Sequence, residues 1–202
     1  MIVKKYCVFF QHTQAFKISR IYKVGVNLCF NIWFMILNDT IVALASASGA
    51  GAVALIRVSG PQAIDLVADV FQSVKNKDLR KQKTHTLHLG FIKDDEKIID
   101  QVLVSLFKGN NAYTGEPTVE ISCHGSTFIQ QQIIQLLLRK GCRMATAGEF
   151  TMRSFLNGKM DLTKAESVMQ LISAQGEDAA KAAIAGNDGV LERKITKVKD
   201  TL

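Results

Sequence analysis

Apolar positions along the chain recur with two periods, and the changes between them mark out the elements. Residues 39–47 and 52–59 are rich in Val, Ile and Leu and are predicted to form two strands, joined as a hairpin at Ser48-Gly49-Ala50-Gly51. Ser59-Gly60-Pro61 then reads as a helix start, with Ser59 as cap, Pro61 in the first turn and Ile64, Val67, Ala68 and Phe71 at helical spacing. The polar stretch 73–83, with Lys75, Lys77, Arg80, Lys81 and Lys83, is expected to be a solvated loop.

Alternation returns at 84–93 through Leu87, Leu89 and Phe91; Asp94-Asp95-Glu96 turns the chain and residues 97–107 form the second arm of another hairpin. A Gly/Asn/Pro loop at 108–117 leads into a short strand at 118–124 with period-two alternation. Residues 126–140 follow as an amphipathic helix with Ile129, Ile133, Leu136 and Leu137 as its buried stripe and Gly141 as its stop. After an extended piece at 142–146, helices are expected at 148–156, 162–174 and from 177 onward, so the strand-rich composition gives way to helix near Lys159. The pattern Val190, Leu191, Ile195, Val198, Leu202 ends without a cap or stop, which suggests a truncated chain or a face covered by another chain.

Charge separates the start of the chain from the rest. Of a formal net charge of +7, five units come from Lys4, Lys5, Lys17, Arg20 and Lys23 in residues 1–36, which hold no acid, so the body is close to neutral and a nucleic-acid-coating surface is not supported. Residues 1–36 also carry 8 of the aromatic side chains. They are expected to be a non-native or disordered leader, with translation starting at Met35 or Leu37. The competing readings are a secretory signal ending at Ala45-Ser46-Ala47 and a membrane span, but Asn27 and Asn31 interrupt the apolar run. Cys123 and Cys142 in the body lack C-x-x-C spacing, which fits a reducing, cytoplasmic setting and indicates neither a disulfide framework nor a zinc ribbon.

Several constellations bear on chemistry. Gly49-Ala50-Gly51-Ala52-Val53-Ala54 fits G-x-G-x-x-A, with Asp69 about 20 residues on, yet it precedes a strand rather than opening a helix and reads as a hairpin turn. No G-x-x-x-x-G-K-[ST] segment occurs in the 202 residues, so phosphate-loop chemistry is not expected of them. In strand 118–124, Glu120, Ser122 and His124 share the face opposite Val119, Ile121 and Cys123. That polar face is either solvated or a pocket wall, where the Glu120 carboxylate would accept two parallel N–H bonds from a planar heterocycle. A metal site at Glu120 and His124 is a weaker alternative. Arg57, the one charge in strand 52–59, either reaches water or contacts an anion. Lys159, in Asn157-Gly158-Lys159-Met160-Asp161, reads by itself as a surface lysine.

Read together, Asn38-Asp39-Thr40-Ile41-Val42-Ala43, Ile56-Arg57-Val58-Ser59-Gly60, Tyr113-Thr114-Gly115-Glu116, His124-Gly125, Ala147-Gly148-Glu149-Phe150-Thr151 and the run from Arg153 to Leu162 resemble the N-terminal part of the tRNA modification GTPase family known as MnmE or TrmE. The resemblance covers about residues 38–190. It implies an α+β fold: a mixed-sheet, tetrahydrofolate-binding and dimerising domain with flanking helices at 37–158, then the start of an all-helical domain at 159–202. It implies a 5-formyl- or 5,10-methylene-tetrahydrofolate cofactor, with Arg57, Glu120 and Lys159 as the folate contacts. It further implies service, in a homodimer with the flavoprotein MnmG, in placing a carboxymethylaminomethyl or aminomethyl group on the wobble uridine of tRNA. GTP, Mg and K belong to the family's GTPase domain, which these residues do not include; nor do they include its C-terminal Cys and Lys segment. Ala47, Ser48 and Ala50 stand where many members have Pro-Pro-Gly-Arg. The alternative is a dimerisation or regulatory module that binds no folate, and a small nucleotide-dependent enzyme would rest on the Gly49 motif alone.

Overall fold

The computed structural model describes residues 39–109 and 112–187. These belong to a compact unit of residues 39–202. The leader at 1–36 and the apolar stripe from Val190 to Leu202 lie outside the described residues.

The alternating segments assemble into a seven-stranded sheet. Its strands are β1 (Ile41–Leu44), β2 (Val53–Ser59), β3 (Phe71–Ser73), β4 (Thr86–Asp94), β5 (Lys97–Phe107), β6 (Thr118–His124) and β7 (Arg143–Met144), in the order β3-β4-β5-β6-β2-β1-β7. All neighbours are antiparallel except β1 and β7, which run parallel and make the sheet mixed. Among the described residues five α-helices accompany it: α1 (Ala63–Ala68), α2 (Thr127–Arg139), α3 (Glu149–Leu156), α4 (Leu162–Ser173) and α5 (Glu177–Asn187). The architecture is α+β.

Strand alternation decides which face is covered. Ile56 and Val58 of β2, Val102, Val104 and Leu106 of β5 and Val119 and Ile121 of β6 point to one side, where they pack with Val67 of α1 and Ile133, Leu136 and Leu137 of α2. Each such side chain, fully buried, contributes about 1.5–3 kcal/mol. The opposite face keeps Val53, Leu87, Leu89 and Leu103 exposed and carries Arg57 and Glu120.

Three local expectations are corrected. The helix predicted after Ser59 is only Ala63–Ala68, capped at Gln62 with no side-chain cap bond, and Phe71 belongs to β3, paired with Ile92. Stretch 73–83 is not merely a solvated loop: Ser73 ends β3, and a 3₁₀ turn at Leu79–Lys81, capped by the Asp78 side chain accepting from Arg80 N–H, buries Leu79. In α2 the buried set is Gln130, Ile133, Leu136 and Leu137, so Gln130 takes the place expected of Ile129. Its amide donates to the carbonyls of Gly49 and Gly125, both at 3.1 Å, which satisfies its burial.

The Gly49 motif is part of the sheet frame. Gly51 N–H donates to Gly125 O at 3.0 Å and Gly125 N–H to Ala52 O at 3.2 Å. A Cβ on Gly125 would lie 2.3 Å from Gly51 O, so only glycine admits this approach. Among the described residues no helix is long and apolar enough to cross a membrane.

Candidate functional site

β2 and β6 are adjacent antiparallel strands whose register sets Arg57 directly opposite Glu120. Opposite charges at such a position are within reach of each other, and here they meet: Arg57 Nε donates to Glu120 Oε1 at 2.9 Å, and Nη2 lies 2.8 Å from the same oxygen. The pair is partly open, its side chains 22% and 21% exposed. Both contacts fall on Oε1, and among the described residues Oε2 receives no hydrogen bond. The Glu120 carboxylate thus keeps one acceptor oxygen in hand, and the two-acceptor geometry expected from the strand pattern is half engaged by Arg57.

The loop before β6 and helix α3 close the other side of Arg57. The guanidinium carbon sits over the Tyr113 ring at 5.2 Å and over the Phe150 ring at 5.6 Å, within cation–π range. Tyr113 is fixed to α3 twice, through its hydroxyl and Thr151 Oγ1 at 3.0 Å and through its carbonyl, which accepts from Ser154 Oγ at 2.7 Å. Thr114 O accepts from Asn157 Nδ2 at 2.7 Å. The loop's polar interior is closed by Ser59, Thr114 and Thr118, whose buried hydroxyls bond one another at 2.7 to 3.3 Å.

Lys159 enters from the end of α3. Gly158, at φ +68°, takes the left-handed conformation, so that Gly158 N–H reaches Phe155 O and Lys159 N–H reaches Ser154 O, the double bond of a Schellman cap. This turns the Lys159 stem onto the Tyr113 loop: a Cβ on Gly115 would stand 3.0 Å from Lys159 Cγ. Arg57 and Glu120 are therefore in direct contact, while Lys159 is joined to them through the segment from Tyr113 to Gly115.

Behind α3 lies a second, closed charge cluster. Arg153, with its side chain fully buried, pairs with Asp39, Glu116 and Glu149, and Arg143 pairs with Asp39 and Glu149. Burial pushes the Glu149 carboxyl up, but the Arg143 guanidinium, the Thr146 backbone N–H and Arg153 outweigh it and hold the group down at about 2. The cluster locks α3 against the start of β1.

His124 does not join Glu120. Four residues along a strand place the two roughly 13 Å apart, and His124 Nδ1 instead bonds Asp100 Oδ1 at 2.7 Å, with its backbone N–H on Asp100 Oδ2 at 2.8 Å. Among the described residues no group of three or more His, Cys, Asp or Glu is placed to hold a metal. Burial, reinforced for Cys123 by the charge of Asp100, raises the Cys123 and Cys142 thiols to about 11, so neither is a ready nucleophile. Sequence reasoning assigned no role to Tyr113, Phe150, Asp100 or Arg153. Apart from the helical i,i+4 pair of Glu149 and Arg153, the contacts that place them span 24 to 114 residues of chain, and no local period encodes those.

Residues 40–159 match the family model described as GTP-binding protein TrmE N-terminus. Over 168 residues the chain is 64% identical to the tRNA modification GTPase MnmE of Flavobacterium psychrophilum, covering 83% of this chain and 36% of the relative. It is 50% identical over 165 residues to the protein of the same name from Cytophaga hutchinsonii, covering 82% and 35%. Against that of Moorella thermoacetica it is 46% identical over 168 residues, covering 82% and 36%. The chain thus spans little more than a third of the length of these relatives.

Proposed function

The chain belongs to the MnmE/TrmE family of tRNA modification GTPases, and from that premise we propose that residues 37–158 bind a tetrahydrofolate one-carbon carrier and pair two copies of the chain, residues 159–202 beginning a helical domain. In this reading the cofactor is 5-formyl- or 5,10-methylene-tetrahydrofolate, and the module serves installation of a carboxymethylaminomethyl or aminomethyl group on the tRNA wobble uridine in the cytoplasm, with MnmG as partner. When bound, the folate supplies the one-carbon unit. GTP, Mg and K act in the full-length protein.

One observation carries the proposal: Arg57, covered by two aromatic rings, occupies a single oxygen of Glu120 and leaves Oε2 open. A pterin presents an amide N–H and an amino group along one edge, and a carboxylate oxygen accepts from such donors with charge-assisted strength. Arg57 and Lys159 suit the carbonyls and carboxylates at the carrier's other end. The chemistry of this donor set therefore fits the cofactor, with Glu120 holding the pterin edge and the two cations its oxygens.

Pairing of two copies has separate support. The open sheet face aligns Leu89 with Leu103, and Leu103 with Ser122, in one cross-strand row, with Leu87 and Ser105 in the next. Its charges at Arg57 and Glu120 neutralise each other, so this face meets an identical face without like-charge repulsion. The same observation favours the second reading, a dimerisation or regulatory module without folate.

Titrating 5-formyltetrahydrofolate into the 202-residue chain, alongside sedimentation analysis, separates the two. Saturable binding at one ligand per chain supports the folate reading. A dimer that takes up no folate supports the second.

A further inference from the structure

The way Arg57 is held sets a requirement that Glu120 alone does not meet. Two donors on a single oxygen fix where the guanidinium sits, but they leave its plane free to swing about that oxygen; a fork on two oxygens would not. The plane is fixed by the rings of Tyr113 and Phe150, at 5.2 and 5.6 Å from the guanidinium carbon. Both rings are carried on one frame: Phe150 belongs to α3, and the Tyr113 backbone is tied to Ser154 of the same helix through its carbonyl.

We propose that Tyr113 and Phe150 are positioning residues that hold the Arg57 guanidinium in one plane, so that its Nη1 edge faces a carbonyl or carboxylate oxygen of the ligand. The inference rests on the folate reading above for the identity of that ligand. An arginine side chain loses substantial rotamer freedom when it is fixed. If the rings have already fixed it, ligand binding does not bear that cost again, which is the gain of preorganisation. The arrangement also selects chemistry. With ring contacts on its face and Glu120 on one edge, the guanidinium offers its remaining edge, which suits an oxygen approaching in its plane rather than an aromatic ring stacking on it.

The test uses the whole chain, with Tyr113→Phe, Tyr113→Leu and Phe150→Leu, and two readouts: titration with 5-formyltetrahydrofolate and the NMR signal of the Arg57 Nε–Hε group without ligand. A proton held over ring faces is shifted upfield. Tyr113→Leu and Phe150→Leu are expected to move that signal towards its free-peptide position and to weaken binding by roughly threefold to thirtyfold, the range of a cation–π contact. Tyr113→Phe keeps the ring and loses only the hydroxyl bond to Thr151, so its signal and affinity stay within about twofold of the parent. Leucine is close to these rings in apolar character, and Phe150→Leu adds or removes no hydrogen bond, so at least this variant folds. Unchanged signal and affinity in both leucine variants would overturn the proposal while leaving the folate site standing. A loss in Tyr113→Phe as large as in Tyr113→Leu would also overturn it, because the hydroxyl and not the ring would then be responsible. A parent that shows the ring-shifted signal but takes up no folate would support the positioning role and sink the folate reading alone.

Discussion

Helix α3 contributes to two charge clusters made of the same residue types, and they differ in what they leave over. In the closed cluster every carboxylate oxygen of Asp39 and Glu149 has a partner: Asp39 receives Arg143 and Arg153, while Glu149 receives both arginines together with the Thr146 N–H and hydroxyl. In the open pair Arg57 uses one oxygen of Glu120 and the other is spare among the described residues. Burial separates only the inner members of the closed cluster, Arg153 and Glu149 at 0% and 2% exposed, from the open pair at 22% and 21%; Asp39 is 29% exposed and is still fully engaged. A charge removed from water must have its bonding capacity filled, whereas a pair about one-fifth exposed keeps its remaining acceptor within reach of solvent. In the reading proposed above, the filled carboxylates of Asp39 and Glu149 serve the fold, and the spare oxygen of Glu120 serves the ligand.

The sharpest way to break this comparison is to remove the hub of the closed cluster. Arg153→Leu takes the buried guanidinium from Asp39, Glu116 and Glu149. Arg143 is then the remaining cation on Asp39 and Glu149, and Glu116 is left with no ion pair among the described residues. The substitution is expected to cost about 3–5 kcal/mol in urea unfolding. A cost below about 1 kcal/mol would place the cluster in the same weak class as exposed pairs.

Acid should act on the same cluster. The Glu149 carboxyl is held at about 2 in the folded chain against an ordinary value of 4.5, so its stabilisation is fully present above that ordinary value and is lost as pH falls through about 2. The difference amounts to about 3 kcal/mol between those limits. Glu149→Gln should lower stability at neutral pH and flatten the curve of stability against pH in that window. A variant whose curve parallels the parent's there would show that another acid carries the effect.

The open pair should give the opposite profile. Glu120→Gln exchanges an acceptor oxygen for a donor amide, so affinity for 5-formyltetrahydrofolate is expected to fall by about 1.5–3 kcal/mol, the range for hydrogen bonds to charged groups. Unfolding free energy should move by less than about 1 kcal/mol, as for exposed ion pairs. Unchanged affinity measured by titration would remove Glu120 from the pocket.

How far each cluster was legible in the sequence follows the same division. Strands β4, β5 and β6 and helices α2, α3 and α4 were readable because each carries its own period and its own stop, and Arg57 and Glu120 stood out as charges inside strand patterns. The helix predicted after Ser59 is too long because Phe71 falls on a helical spacing, while tertiary pairing with Ile92 makes it a strand. Arg153 and Asp39 lie 114 residues apart and look like ordinary surface charges; only the folded sheet brings β1 and α3 together. Tyr113 sits in a Gly/Asn/Pro loop with no periodicity, so nothing local announced that its ring would cover Arg57.

The smallest expected effect compares the two ends of α3 directly. Gly158, at φ +68°, ends the helix and sends Lys159 towards the open site, whereas Gly148, at φ +74°, begins it beside the closed cluster. A Cβ at either position meets nothing within 4 Å, so alanine at each carries only the left-handed backbone penalty, about 1 kcal/mol, or roughly 2–4 °C in melting temperature for a chain of this size. The two alanine variants should therefore melt alike. They should bind differently. In Gly158→Ala, relaxation of the cap shifts the Lys159 stem off Gly115 and weakens folate binding by a few-fold, about 1 kcal/mol or less, while Gly148→Ala leaves affinity at the parent value because Lys159 lies at the other end of α3, 11 residues on from Gly148. Equal affinities in the two variants, at equal melting temperatures, would remove Lys159 from the site and leave Arg57 and Glu120 to define it.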